Sequence, residues 1–233
     1  MSAVAIPTPE GTAAPAHVPP GGLRGLVADW ASDREAFHVA WGKAMMWIFL
    51  LSDTFIFGSF LTGYMTVRAS TTVPWPNPSE VFALHVGAAN VPLLLIAIMT
   101  FVLISSSGTM AMAVMFGYRR DRRKAALLML LTAVLGATFV GMQAFEWTKL
   151  ISEGVRPWGN PWGAAQFGST FFMITGFHGL HVTAGVIYLI VVATRLLRGK
   201  YEQKGYQIVE IAGLYWHFVD LVWVFIFAFF YLW

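Results

Sequence analysis

Long, almost unbroken apolar stretches dominate the pattern of hydrophobic and polar positions in this 233-residue chain. Each stretch is at least as long as the roughly 20 residues that an α-helix needs to cross a bilayer. Short segments rich in Pro, Gly and charged residues separate the stretches. The pattern predicts five transmembrane helices, at about Lys43–Val67, Ala88–Tyr118, Lys124–Lys149, Ser169–Leu197 and Val209–Trp233.

The composition supports this interpretation, because 57% of the residues are hydrophobic and only 12% are charged. A soluble domain carries about twice that charged fraction. The chain has no cysteine, which excludes disulfides and thiolate metal sites. We therefore predict an all-α membrane protein, built as a bundle of five transmembrane helices.

The first 40 residues differ from the rest of the chain. Residues 1–22 are rich in Pro, Ala and Gly, and they lack the positive start and apolar run of a secretory signal. They predict a flexible tail. Residues 23–40 mix Leu23 and Trp30 with charged residues, which is compatible with a short interfacial helix or with a plain linker. We expect a tail at 1–40 and a transmembrane domain at 41–233.

The basic residues predict the orientation of the bundle. All 15 Lys and Arg residues except Arg68, Lys149 and Arg156 fall on one side of the predicted helices, among them the cluster "RRDRRK" at 119–124. Cytoplasmic segments carry the excess of Lys and Arg in membrane proteins. The N-terminus is therefore predicted in the cytoplasm and Trp233 outside.

Several ionisable residues lie at membrane depth, where an unpaired charge is costly. They are Asp53, Glu146, His178, His181, His217 and Asp220. His178 and His181 are three residues apart, as are His217 and Asp220, so each pair shares a helix face. Asp53 and His181 both fall near the middle of the membrane, and we predict a hydrogen bond or an ion pair between them.

These residues leave several hypotheses open. A bis-His haem would need one histidine from each of two helices, such as His181 and His217. A di-metal cluster needs Glu-x-x-His pairs, and the nearest equivalent is the pair His217 and Asp220. A proton-carrying transporter would suit Asp53 and Glu146, but the chain shows no inverted repeat. Membrane bundles also use polar side chains simply to hold helices together.

Glycines within the predicted helices suggest close packing between them. The three pairs are Gly58 with Gly63, Gly136 with Gly141, and Gly179 with Gly185.

Two long motifs, "STFFMITGFHGLHVTAGVIYL" at 169–189 and "YWHFVDLVWVFIFAFFYLW" at 215–233, closely resemble subunit III of the haem-copper oxidases. The cytochrome c oxidase branch is the best match. "LGATFVGMQAFEW" and "WIFLLSDTFIFGSF" resemble that family's matching helices, and "NVPLLLIAIMTFVLISSSGTMAMA" is a looser match. The resemblance covers residues 41–233.

The resemblance implies a non-catalytic subunit of a proton-pumping cytochrome c oxidase in the bacterial inner membrane. Subunit III in this family carries no haem and no copper, which belong to partner subunits. It packs mainly against subunit I, in a complex that also contains subunit II and in some members a small subunit IV. It holds phospholipid and supports proton uptake. His178 and His181 are then structural, and no nucleic acid is expected among the partners.

The chain departs from the family's usual pattern in two ways. Asp53 stands where the family usually has Glu, and only the last five of the seven helices of longer members are matched. Equivalent subunits of quinol oxidases, accessory subunits of nitric oxide reductases and an independent haem- or metal-binding protein remain alternatives.

Phospholipid contacts are expected near the cytoplasmic interface. Arg195 and Arg198 end the fourth predicted helix, where they suit a phosphate headgroup or only anchor the topology. Trp41 and Trp47 belong to the same region and are candidates to line acyl chains or to form an aromatic belt.

Overall fold

The computed structural model describes residues 40–86, 89–201 and 206–232, and for 83–86 and 89–92 it describes the backbone alone. Residues 1–39, which make up all but the last residue of the tail expected at 1–40, lie outside the described residues. The elements in chain order are α1 (Trp41–Ser70), α2 (Pro78–Val81), β1 (Ala83–Val86), β2 (Ala89–Pro92), α3 (Leu94–Tyr118), α4 (Arg122–Ser152), α5 (Gln166–Leu197) and α6 (Gln207–Phe227). Helices α1, α3, α4, α5 and α6 are long and apolar enough to cross a membrane, and they correspond to the five predicted spans.

The second span begins later than predicted, at Leu94 instead of about Ala88, because a β-hairpin precedes it. Strands β1 and β2 pair antiparallel, with Ala83 opposite Pro92. A proline disfavours helical backbone in the residue before it. Leu93 then adopts a left-handed conformation with φ of 58°, which separates the hairpin from the helix.

The last span also ends differently from the prediction. Regular α-helix stops at Phe227, and a π-helical segment follows at Ala228–Leu232. This wider turn buries Phe230 and Tyr231 against the rest of the bundle. Such segments frequently occur at functional sites. Trp233 lies outside the described residues.

The core of the bundle forms where α3, α4, α5 and α6 meet around Trp216 of α6. A Cβ added at Gly136 of α4 would overlap the Trp216 ring, and one at Gly185 of α5 would come within 3.0 Å of it. The indole N–H donates to Ser106 Oγ of α3 at 3.0 Å. Small residues therefore let three helices close around one large aromatic side chain.

The packing predicted for the other glycines is absent among the described residues. Gly58, Gly63, Gly141 and Gly179 have no atom within 4 Å of an added Cβ. The rotation of each helix about its axis decides which of its glycines meets a neighbouring helix. The spacing of glycines in the sequence does not reveal that rotation.

Helix α1 is the least buried of the spans. In its most apolar 18-residue stretch, only 17% of the residues are buried, compared with 28–39% in the corresponding stretches of the other spans. Phe57 and Tyr64 anchor it, with the Tyr64 ring 4.1 Å from that of Phe230. Many of its large apolar side chains, such as Ile48 and Phe55, remain exposed. This surface suits lipid or another membrane helix, since neither requires polar side chains.

Asp121 occupies the turn that joins α3 to α4 and caps the N-terminus of α4. Its Oδ1 accepts the backbone N–H of Lys124 at 3.2 Å, and its Oδ2 lies 3.3 Å from Lys124 Nζ. The backbone hydrogen bond from Lys124 holds the pKa of this carboxyl below its usual range. The capping carboxylate also complements the positive end of the helix dipole.

Candidate functional site

The predicted contact between Asp53 and His181 is present and joins α1 to α5. Asp53 Oδ2 lies 3.4 Å from His181 Nε2, and the Asp53 residue is 3% exposed. Nδ1 of His181 lies 2.8 Å from the carbonyl oxygen of Phe177, one turn earlier in α5. The Phe57 and Phe177 rings lie 5.5 and 4.8 Å from the imidazole, so the pair is enclosed by aromatic side chains.

The Phe177 carbonyl determines which ring nitrogen of His181 carries a proton. A carbonyl oxygen only accepts, so Nδ1 of His181 must carry a proton and donate it. A further proton, on His181 Nε2 or on Asp53 Oδ2, would make the pair neutral. In both arrangements the pair has no net charge, which is the condition under which ionisable groups are tolerated in hydrocarbon.

His178 is fully buried and occupies a different environment, although it shares a face with His181. Its ring stacks 5.4 Å from Trp223 and meets the edge of Phe139 at 5.9 Å. Neither ring nitrogen has a hydrogen-bond partner among the described residues. The arrangement holds a planar ring between α4 and α6, and it fits a neutral imidazole that acts in packing.

His217 and Asp220 form a second polar group, between α6 and α3. Ser107 of α3 brings its Oγ to 2.6 Å from His217 Nδ1. Asp220 lies one turn further along α6, and its Oδ1 has no partner among the described residues. A hydroxyl of the neighbouring helix α3 therefore contacts the histidine of the i, i+3 pair predicted on α6.

Glu146 lies near the C-terminal end of α4 and contacts the π-helical segment. Its Oε2 accepts the hydroxyl of Tyr231 at 3.1 Å, while Oε1 has no partner among the described residues. Gln143, one turn earlier, is also buried, and its amide has no described partner. The hydrogen bond from Tyr231 closes the C-terminal end of α6 against α4.

These groups lie in separate places and do not converge. In the part of the chain that the structure describes, no group of three or more His, Asp or Glu residues is arranged to hold a metal. Both nitrogens of His181 face Asp53 or Phe177, and Nδ1 of His217 faces Ser107. A haem between His181 and His217 would have to displace those contacts, so the geometry does not support the bis-His hypothesis.

Sequence reasoning missed the partners Ser107 and Tyr231. Ser107 belongs to the run "SSS" at 105–107, which is conspicuous inside an apolar helix and offered a signal. Tyr231 offered none, because its contact with Glu146 depends on the change of helix type after Phe227.

The residues expected to contact lipid lie at exposed positions. Arg195 is in the last turn of α5, and Arg198 follows that helix as its C-cap. Trp41 and Trp47 are 58% and 54% exposed. Their positions are compatible with lipid contact, which stays a prediction.

Comparison with known proteins now adds to this geometry. The family model described as cytochrome c oxidase subunit III matches residues 32–233. The chain belongs to the cytochrome c oxidase subunit III family. Similar relatives include the probable quinol oxidase subunit 3 of Staphylococcus epidermidis and that of Staphylococcus aureus. Each is 32% identical over 186 residues, which cover 80% of this chain and 86% of the relative.

Membership makes this chain subunit III of a haem-copper terminal oxidase in a respiratory chain. It is a multi-pass membrane protein, and its partners include the other oxidase subunits. Subunits of this family typically bind no metal.

Proposed function

We propose that this subunit III is a cofactor-free support of a proton-pumping oxidase that reduces oxygen to water. The observation that carries the proposal is that, among the residues the structure describes, the buried ionisable side chains contact neighbouring helices one by one instead of forming a common site. Oxygen chemistry would take place in the haem- and copper-bearing partner, mainly subunit I. Subunit III would stabilise that partner and sustain its proton uptake.

The support role requires a rigid helix bundle with one apolar face that can contact another subunit or lipid. The contact between Asp53 and His181 fixes α1 to α5, and the contact between Tyr231 and Glu146 fixes the end of α6 to α4. The apolar outer face of α1 then offers a surface for subunit I, a small subunit IV or phospholipid. Arg195, Arg198, Trp41 and Trp47 are our candidates for the lipid contacts.

The electron donor has two candidates, because it binds elsewhere in the complex. The name of the matching family favours cytochrome c, delivered through subunit II. The relatives named quinol oxidase subunit 3 favour a quinol. Oxygen consumption by the purified complex with reduced cytochrome c, and separately with a quinol, distinguishes the two donors.

We also propose the bacterial inner membrane as the location, with the N-terminus in the cytoplasm and the C-terminus outside. The support is the distribution of Lys and Arg, with Arg119–Lys124 and Arg195–Lys200 on one side of the bundle and Arg156 on the other.

Removal of subunit III from the purified complex tests the support role. We expect the complex without subunit III to consume oxygen at an initial rate close to that of the intact enzyme. It should then become inactive after fewer turnovers than the intact enzyme. Oxygen consumption followed to exhaustion, with the intact complex as control, measures both quantities. An initial rate near zero would indicate that subunit III has a catalytic role. An unchanged number of turnovers before inactivation would contradict the support role.

A further inference from the structure

A small cavity lies between α2, α3 and α4, beside the carboxyl group of Glu146. Apolar side chains from all three helices line it, among them Val81, Ile96 and Leu150. About 10 Å³ of the cavity is open to the centre of a water molecule. One bound water requires roughly 10–15 Å³ measured in that way. The cavity therefore has room for a single water-sized molecule.

Glu146 lines this cavity and carries one oxygen atom without a partner. The residue is buried, with 3% of its surface exposed. Its Oε2 accepts the Tyr231 hydroxyl at 3.1 Å, while its Oε1 has no hydrogen-bond partner among the described residues. Leaving a buried carboxyl oxygen without a hydrogen bond costs free energy, so such atoms usually contact a protein donor or an ordered water. Oε1 therefore requires a donor at the cavity.

Lys149 brings a second polar side chain to the cavity. It follows Glu146 by three residues on α4, so the two side chains share a helix face. Its Nζ lies 3.6 Å from Glu153 Oε1. Because a lysine ammonium carries three donor hydrogens, it can contact Glu153 and a water at the same time. A buried water makes roughly two to four hydrogen bonds, and Glu146 and Lys149 can provide two of them.

The charges of these two side chains restrict which molecule fits the cavity. A metal cation would meet the ammonium of Lys149, and an anion would meet the carboxyl of Glu146. An apolar molecule would leave Glu146 Oε1 without a hydrogen bond. Water is neutral and small enough, and it can accept from an ammonium while it donates to a carboxylate oxygen. The size and the polarity of the cavity therefore both favour water.

We propose that one ordered water occupies this cavity, donates a hydrogen bond to Glu146 Oε1 and accepts one from Lys149 Nζ. The water completes the hydrogen bonds of the carboxyl group that joins α4 to the π-helical segment through Tyr231. The proposal concerns binding within this chain, so it holds for an oxidase with either electron donor. It is also independent of whether subunit III sustains proton uptake.

A structure of the purified oxidase complex, determined at a resolution that shows ordered waters, tests the proposal directly. We expect density for one water at about 2.5–3.2 Å from both Glu146 Oε1 and Lys149 Nζ. A direct hydrogen bond from a protein group to Oε1 would overturn the proposal. An empty cavity, in a map that shows buried waters elsewhere in the complex, would overturn it as well.

Val81→Ile tests whether the cavity holds the water. The substitution adds one methyl group at the lining, and we expect the density for the water to disappear. Val219→Ile is the matched control, because Val81 and Val219 are both 1% exposed and Val219 is not part of the lining. The control should keep the water. Density that persists unchanged in Val81→Ile would contradict the proposed site.

A second pair of variants tests the contact with Lys149. Lys149→Met keeps a long side chain but removes the donors, whereas Lys149→Arg keeps donors at the same position. We expect the density for the water to be lost in Lys149→Met and retained in Lys149→Arg. Equal density in both variants would show that Lys149 does not hold the water, and the proposed bridge would be wrong. Subunit content and haem content confirm that each complex assembles.

Discussion

Asp53 and His181 form a contact that a single proton, on either side chain, would make neutral at membrane depth. The Phe177 carbonyl requires a proton on Nδ1, so that neutralising proton would lie on Nε2 or on Asp53 Oδ2. The shorter Asp side chain still reaches the histidine, at 3.4 Å. The contact can therefore join α1 to α5 without any net charge being stabilised in the hydrocarbon.

Asp53→Asn tests whether this pair acts only in structure. An Asn amide can donate to Nε2 of His181 while Nδ1 keeps its bond to Phe177, so we expect normal assembly and normal initial turnover. Asp53→Leu should retain less subunit in the complex, because it leaves Nε2 unpartnered at a cost of about 1–3 kcal/mol. Subunit ratios after purification and oxygen consumption measure these effects. An immediate fall in turnover or in protons pumped with Asp53→Asn would contradict a purely structural role.

At the scale of helices, two glycines on α4 differ in what they contact. Gly136 faces the Trp216 ring, where an added methyl group would overlap it, whereas Gly141 faces open space in the described part of the chain. We expect Gly136→Ala to destabilise the bundle by about 1–3 kcal/mol through overpacking. Gly141→Ala is the matched control and should be neutral or slightly stabilising.

The amount of subunit III retained on the complex after stepwise heating measures this difference. Equal retention of the two glycine variants would mean that Trp216 is not held between α4 and α5 as the structure indicates.

The helices could be predicted from the sequence because hydrocarbon requires long apolar spans. The contact between Asp53 and His181 was predicted by counting residues along two helices, and the structure places their side chains 3.4 Å apart. The pairing of Glu146 with Tyr231 could not be predicted, since it depends on helix rotation and on the π-helical segment. The hairpin before Leu94 escaped prediction because its residues continue an apolar stretch.

At the scale of the whole molecule, the proposed orientation is open to chemical labelling. The chain has no cysteine, so single cysteines can be introduced at Trp158, which is exposed in the loop between α4 and α5, and at Lys200, beyond α5. We expect a membrane-impermeant maleimide added to intact cells to label Trp158→Cys and to leave Lys200→Cys unlabelled until the cells are opened. The opposite result would invert the topology.

The central claim is that this chain is a subunit III without haem or copper, and that it stabilises the partner subunits that carry them. Affinity purification of the chain in mild detergent, with a visible spectrum and mass spectrometry of the subunits, tests it most directly. We expect haem and copper to accompany a large membrane partner and to be absent from subunit III once the partners are stripped away. A haem spectrum or bound metal that stays with the isolated chain would make His178, His181 or His217 a ligand and contradict the account.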